Sequence, residues 1–294
     1  MADYTISNLN TAVVGIATTT TFQSRQISYI TSPSDLVLHL DSSIKESYTD
    51  SAYNITWKDL TSNNLDFSLT GTYSYSDGSL VFSSPSGAAR LVDSDSKISF
   101  SGDFAIEAWV YLSSTPNATY PSAIISSWTT TGNENNSFIF FVNSSRNLYF
   151  QANVLALSIS HPTAVTLNEW HHVVVSRVSN TVDLYIDSVA ATSSSYSSAI
   201  TPTLNILIGT YTSGLGEGYC FDGKIPLIRV YKDRGLTAAE VASNYQAVNF
   251  NTSNGTVSIG NGSGSSFEIT TTTQPGWFGG RRPQTGQVFP RYNK

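Results

Sequence analysis

The chain has 294 residues, enough for one large all-β domain or two small ones, and 40% of them are hydrophobic. Its net charge of −6 argues against a nucleic-acid partner, which needs a basic surface, and no run approaches the roughly 18 apolar residues of a membrane span. The single cysteine, Cys220, excludes an intrachain disulfide, and because it lies among aromatic residues we expect an inert thiol.

The first segment, residues 1–32, is rich in Thr and Ser and contains one apolar patch, Ala12–Ile16. No alternation of apolar and polar residues lasts long enough there to predict a strand, so we expect an extended N-terminal arm. The segment also lacks the basic and apolar regions of a signal peptide, which predicts synthesis in a cytoplasm without a standard export signal.

Residues 33–248 have the pattern of an antiparallel β-sandwich, in which short β-branched and aromatic runs are separated by Gly, Asn, Ser and Asp clusters. Alternation is clearest at Val182, Leu184 and Ile186, and the preceding Ser179–Asn180 predicts a tight hairpin. The predicted strands are Leu36–Leu40, Leu80–Phe82, Lys97–Phe100, Phe104–Leu112, Ala123–Trp128, Phe138–Val142, Leu148–Gln151, Trp170–Arg177, Val182–Ile186, Asn205–Gly209 and Phe221–Tyr231.

Several residues in these strands have predicted structural roles. We expect His171 and His172, adjacent in one strand, to face opposite sides as structural histidines. Gly223 is expected in a turn that needs positive φ. The side chains predicted to be buried between the two sheets are Trp109, Trp170, Val174, Leu184 and Ile208.

A short helix is predicted near the end of the sandwich. Thr237 and Glu240 form a capping box, with Leu236 and Val241 as a hydrophobic staple. Val241, Tyr245 and Val248 then recur at helical spacing, which predicts one apolar face packed against the sandwich edge.

Residues 249–294 are predicted to form a Gly/Ser/Thr-rich tail, with short edge strands at Thr256–Ile259 and Phe267–Thr271. This tail has a net charge of +3, so the rest of the chain carries −9. Its basic, aromatic end predicts docking on a partner, with a solvated tail as the alternative. The predicted partner-binding residues are Trp277, Phe278, Arg281, Arg282, Phe289, Arg291 and Tyr292.

Three groups of segments, in their order and spacing, resemble the laminin-G-like, concanavalin-A-like jelly-roll domains of many bacteriophage virion proteins. They are Leu36–Asp41 with Trp57–Leu60; Gly78–Phe82 with Gly102–Tyr111; and Asn168–Val175 with Leu184–Asp187, Phe221–Ile225, Ile228–Tyr231 and Leu236–Val241. The resemblance implies an all-β fold of two antiparallel sheets and does not extend to the terminal arms.

Catalysis is not expected, and no catalytic residue is predicted. Glycosidases related to this fold need two facing carboxylates, which they present as alternating acids resembling E-x-D-x-E on one strand. Here Glu107 is a lone acid in its strand, and Asp183 and Asp187 have no third acid beside them.

The resemblance also raises the question of a ligand at the sandwich rim, where many relatives bind Ca²⁺ and a glycan. The expected F-x-G-x-x-D-Y motif is replaced by the segment from Phe82 to Arg90, so no cofactor is predicted. Asp222 and Glu217 remain the candidate oxygen ligands if Ca²⁺ does bind. Tyr120, Trp128 and Tyr211 are the aromatic candidates for stacking on sugar rings.

Together these features predict a non-enzymatic virion structural protein, a capsid decoration or accessory head or tail protein. It would be anchored by its terminal arms, assembled in the host cytoplasm and exposed on the particle exterior. Its expected partners are other virion proteins and copies of itself. The alternative is a phage adhesin, such as a tail fibre, that binds host-surface glycans through the sandwich. A lectin outside any virion is disfavoured because no signal peptide is seen.

Overall fold

The fold is seen in a computed structural model of the chain. It describes residues 35–51, 54–83, 88–91, 97–117, 119, 121–128, 136–191, 193–203, 205–211 and 220–247, together with the backbone of 255–260 and 266–271. The predicted N-terminal arm lies outside these ranges, and so do the seven predicted docking residues, Trp277, Phe278, Arg281, Arg282, Phe289, Arg291 and Tyr292.

The described part is a two-sheet antiparallel β-sandwich with one short helix, as predicted. Its elements in chain order are β1 (Leu36–Asp41), β2 (Thr56–Trp57), β3 (Phe67–Thr70), β4 (Tyr73–Ser76), β5 (Ser79–Phe82), β6 (Ala88–Leu91), β7 (Phe104–Leu112), β8 (Ser122–Ser127), β9 (Phe138–Val142), β10 (Asn147–Ala152), β11 (Leu157–Ala164), β12 (Trp170–Val178), β13 (Thr181–Ile186), β14 (Val189–Ala190), β15 (Ser194–Ser195), β16 (Ile206–Ile208), β17 (Gly223–Lys232), α1 (Ala238–Ala247), β18 (Gly255–Gly260) and β19 (Ser266–Thr271).

The two sheets have different strand orders. The first sheet runs β14-β13-β12-β7-β17-β5-β4, with β1 also paired to β17 and β15 to β13. The second sheet runs β11-β10-β9-β8-β16-β6-β3-β2. Strands β18 and β19 were predicted as edge strands, but they pair with each other as a hairpin in a unit separate from the sandwich.

The core between the sheets is aromatic and β-branched. Rings from both sheets meet there, as at Phe104 and Phe150, whose centroids lie 5.7 Å apart. The alternation predicted in β13 is confirmed, because Val182, Leu184 and Ile186 all belong to this core. Such burial of large apolar side chains is the main stabilising contribution in a fold of this kind.

Three of the five side chains that were predicted to lie between the sheets do not lie there. Leu184 and Ile208 are between the sheets as expected, but Trp109, Trp170 and Val174 are buried on the outer side of the first sheet. There the ring of Trp109 stacks on Tyr245 of α1 at 5.7 Å. The helix shields both strands from water, so β7 and β12 are buried on both faces and their sequence does not indicate which face is inner.

Local signals predicted the helix and its neighbouring hairpin correctly. Thr237 and Glu240 form the capping box, since the Glu240 carboxylate accepts from the Thr237 backbone N–H at 2.9 Å. Leu236 and Val241 pack in one cluster, as the staple requires. At the β12–β13 hairpin, Ser179 and Asn180 adopt φ values of 50° and 68°. Val248, expected on the same helix face, lies outside the described residues.

Gly223 opens strand β17 and does not lie in the predicted turn. Its φ is 155°, and a Cβ there would lie 2.0 Å from the carbonyl oxygen of Tyr111. Glycine is therefore needed for the close approach of β17 to β7.

The strand predicted at Lys97–Phe100 is reduced to a single bridge between Phe100 and Ile200. The strands that were not predicted are β2, β3, β4, β6, β11, β14 and β15. Within the described ranges, no helix is long and apolar enough to cross a membrane.

Candidate functional site

The outer face of the second sheet carries a cluster of aromatic side chains. In β9 and β10 the even positions, such as Phe140 and Phe150, point into the core, so Phe141 and Tyr149 point outward. Their rings stack with centroids 5.3 Å apart and an interplanar angle of 16°. Trp128, which follows β8, and Tyr211, which follows β16, pack in the same group. We call these four residues the aromatic cluster.

Two members of the aromatic cluster offer ring surface to a ligand. Trp128 and Tyr149 are half-buried, whereas Phe141 and Tyr211 are only 7% and 8% exposed. Of the three aromatic residues predicted from the sequence, the structure thus brings Trp128 and Tyr211 together, and Tyr120 lies outside the described residues. Tyr149 was missed, although alternation within Asn147–Ala152 was a signal for an outward ring.

Polar side chains continue this outer face beside the aromatic cluster. Gln151 lies two residues beyond Tyr149 and donates a hydrogen bond of 3.2 Å to the exposed Ser158 of β11. Ser158 and Gln151 also begin a row of paired residues that crosses the whole sheet from β11 to β2. The row passes through Ile139, Ser126, Leu207, Arg90 and Ser68 to Thr56. Its centre is buried, whereas Arg90 and Ser68 are exposed and Thr56 is half-buried.

The acid considered for catalysis, Glu107, is fully buried beneath α1 on the outer side of the first sheet. Its carboxylate pairs with Arg229 at 2.8 Å and accepts from Asn244 of the helix at 2.9 Å. Tyr231 donates its hydroxyl at 3.2 Å, and His172 Nε2 lies 3.4 Å away. With every approach filled by protein, this carboxylate has no room for a substrate and instead holds helix and sheet together.

Electrostatics in this network follow from burial and charge pairing. Burial alone would raise the pKa of Glu107, but Arg229 and His172 together hold it well below its ordinary value. Burial and the neighbouring Glu107 charge raise the pKa of Tyr231, which therefore stays a hydroxyl donor. The pair Glu107–Arg229 joins residues 122 positions apart, which no local motif reveals.

A second polar network lies at the start of β12. His171 Nδ1 is 2.7 Å from Asp187 Oδ2, and His171 Nε2 is 2.7 Å from the Thr166 hydroxyl. The order acid, imidazole, hydroxyl is that of a hydrolase triad. However, the Thr166 hydroxyl also donates to Glu169, whose negative charge beside it would oppose an oxyanion. His171 and His172 were predicted to face opposite sides of their strand, and they contact different acids, Asp187 and Glu107 respectively. The His171 network serves to fix the loop between β11 and β12.

Of the two residues considered for metal binding, the structure describes only Asp222. The Asp222 carboxylate accepts a hydrogen bond of 2.6 Å from Ser114, and Glu217 lies outside the described ranges. Within those ranges no three His, Cys, Asp or Glu side chains converge as metal ligands. Cys220 is buried, and burial raises the pKa of its thiol to about 11, so it is present as the poorly reactive thiol.

Comparison with solved structures identifies related folds. Domain 4 of an extracellular arabinanase from Geobacillus stearothermophilus, solved in complex with arabinotriose, is 15% identical with a TM-score of 0.51. That match covers 73% of this chain and 98% of the other. The Trypanosoma rangeli sialidase in complex with sialic acid is 16% identical with a TM-score of 0.53. It matches over 72% of this chain, which spans only 32% of the sialidase.

At these identities the two structures support the fold alone. No curated protein sequence matches the chain. A family profile, however, matches residues 84–242, more than half of the sequence. The match spans the strands from β6 to β17 and the first half of α1, and therefore both sheets. The chain belongs to the concanavalin A-like lectin/glucanases superfamily.

Proposed function

We propose that this protein is a glycan-binding module, without catalytic activity of its own, that binds saccharides on the outer face of its second sheet. The observation that carries this proposal is the aromatic cluster, where the half-buried rings of Trp128 and Tyr149 lie beside the hydrogen-bonding pair Gln151–Ser158. A sugar ring has an apolar C–H face and a rim of hydroxyls, and this combination of a ring with adjacent amide and hydroxyl groups matches both.

A solved structure with a similar fold supports a saccharide as the ligand. The arabinanase domain has a similar sandwich, and its structure contains arabinotriose. The buried position of Glu107 and the competing acid beside Thr166 both argue against hydrolysis by this chain. Binding without cleavage is the function that requires the fewest groups beyond those present.

The test is binding of a glycan array, followed by calorimetry on the best ligand with Trp128→Ala and Tyr149→Ala. Removing one stacked ring should weaken binding by about 1–2 kcal/mol, a factor of roughly 5–30. Tyr111→Ala is the matched control, because this half-buried tyrosine lies on the first sheet against Trp170. Thermal unfolding verifies that each variant folds. Unchanged affinity in both cluster variants, or an array without any bound glycan, would overturn the proposal.

The expected location on a virion stays a prediction. For a protein on a virion, glycan binding favours an adhesin over a capsid decoration protein, because an adhesin would use the aromatic cluster to bind host glycans. The terminal arms would then attach the module to other virion proteins or to further copies of itself, with the sandwich on the particle exterior.

A further inference from the structure

A polar pocket opens beside β2, at the far edge of the second sheet from the aromatic cluster. It has a volume of about 330 Å³ and is lined by Lys45, Glu46, Ser47, Thr49, Ser51, Asn54, Thr56 and Lys58. No aromatic or aliphatic residue is among these. The lining therefore suits a small, strongly hydrated group and not an apolar one.

The two lysines of this pocket differ from the other lysines of the sandwich. Lys97, Lys224 and Lys232 each donate to a protein oxygen, for example Lys224 to Asp77 at 3.4 Å. Within the described ranges, the side-chain ammonium groups of Lys45 and Lys58 have no hydrogen bond or ion pair, and both residues are exposed. Two ammonium groups thus lie at one pocket of an acidic protein, and neither forms an ion pair with the Glu46 carboxylate of the same lining.

Hydrogen bonds fix the walls that carry these lysines. Lys58 donates its backbone N–H to Ser47 at 2.8 Å, and the Ser47 hydroxyl donates to the Lys58 carbonyl at 2.6 Å. The Thr49 hydroxyl donates to the Lys45 carbonyl at 3.0 Å, and the Asn54 amide donates to the Thr49 carbonyl at 2.8 Å. The pocket is therefore preorganised, which lowers the entropy lost when a ligand binds.

On the same outer face, the pocket continues into the exposed end of the row of paired residues that crosses the second sheet. Thr56 lines it and pairs with Ser68, which pairs with Arg90. Three strands at a spacing of about 4.8 Å place Arg90 roughly 10 Å from Thr56. With the Asn205 amide turned so that its oxygen faces the guanidinium, Arg90 Nη2 donates to it at 2.6 Å. Within the described ranges, these three cations are opposed by Glu46 in the lining, by Asp50 between the lining residues Thr49 and Ser51, and by Asp66 just before β3, and Asp66 already accepts from the Asp59 backbone.

We propose that Lys45, Lys58 and Arg90 form an acidic-sugar subsite across β2, β3 and β6, in which the two lysines hold a carboxylate and Arg90 faces the adjoining sugar. The subsite rests on the proposed glycan-binding function and names its ligand class, an acidic saccharide. Hydroxyls of Thr49, Ser51 and Thr56 supply hydrogen bonds to the sugar around the charged group.

The experiment compares a hexasaccharide of polygalacturonate with the same hexasaccharide as its methyl ester, which removes the charge and adds one methyl group to each carboxyl. The wild type should bind the free acid about fivefold to tenfold more tightly than the ester. Lys45→Gln/Lys58→Gln should reduce that preference to about twofold or less, the remainder coming from Arg90 and the carboxylate of the adjoining sugar. Lys224→Gln, a paired lysine of the first sheet, is the control and should keep the preference. Raising the salt concentration should weaken binding of the acid alone.

The outcomes separate the two proposals. Equal affinity of the wild type for both hexasaccharides, or an undiminished preference in the double variant, overturns the acidic-sugar subsite and leaves glycan binding standing. Absence of binding to either hexasaccharide overturns the subsite, and absence of binding to any neutral glycan as well overturns the proposed function.

Discussion

Replacing the buried acid with its neutral isostere, Glu107→Gln, tests whether this residue is structural. The substitution keeps the shape of the side chain but removes the charge that faces Arg229 at 2.8 Å. Both side chains are almost entirely inaccessible, at 0% and 5% exposure. The guanidinium would therefore remain buried without a counter-charge, and Tyr231 and Asn244 would lose the carboxylate that accepts their hydrogen bonds.

The expected loss follows from that geometry. Breaking a buried ion pair by removing one partner costs about 3–5 kcal/mol. In a domain of this size each kcal/mol lowers Tm by about 2–4 °C, so Tm should fall by roughly 6–20 °C. The matched double variant Glu107→Gln/Arg229→Met leaves no buried charge and should regain part of the loss.

The pH dependence has a defined sign. The pKa of Glu107 in the folded protein lies below its ordinary value of 4.5, so its contribution is complete at neutral pH and is lost as the pH falls below about 4.5. Calorimetry at pH 7 and pH 3 should show the difference in Tm between wild type and Glu107→Gln becoming smaller at the lower pH. Equal stability of the two proteins at pH 7 would refute the structural assignment.

Two further predictions concern the core and the chemistry. Trp170→Ala should cost about 3–5 kcal/mol in urea unfolding, because Trp170 is 3% exposed and packs with Trp109 and Leu227, and an unmoved midpoint would mean that the ring is exposed. Incubation with a broad polysaccharide panel should release no more reducing ends than a blank, and activity that is lost in Glu107→Gln or His171→Ala would identify the corresponding polar network as catalytic.

The sequence predicted those elements whose signals are local. β-Branched alternation located β13, and the capping residues Thr237 and Glu240 located α1. By contrast, β4 reads YSYS, an alternation of only four residues, and β6 reads AARL, which does not alternate between apolar and polar residues. The strand structure of β6 comes from pairing with a distant partner, β16, whereas β4 forms a hairpin with the neighbouring β5.

The candidate site was only partly predictable for the same reason. Aromatic type and position near a loop identified Trp128 and Tyr211, but their contact with Phe141 depends on the order of strands β8, β9 and β16. The lysine pocket combines residues on both sides of β2 and is defined by hydrogen bonds between Ser47 and Lys58. Neither the strand order nor these contacts can be read from residue spacing alone.

The two outer faces of the sandwich differ in a way that supports the proposed binding on one of them. On the first sheet, Val241 of α1 packs over Val174 and Tyr231, and Asn244 donates a hydrogen bond to Glu107. The buried charge of this face therefore serves to hold the helix. On the second sheet, the half-buried rings of Trp128 and Tyr149 and the unpaired lysines of the pocket face outward. Unsatisfied charge and accessible ring surface add nothing to the folding of this chain, and their role is therefore to be sought in a ligand.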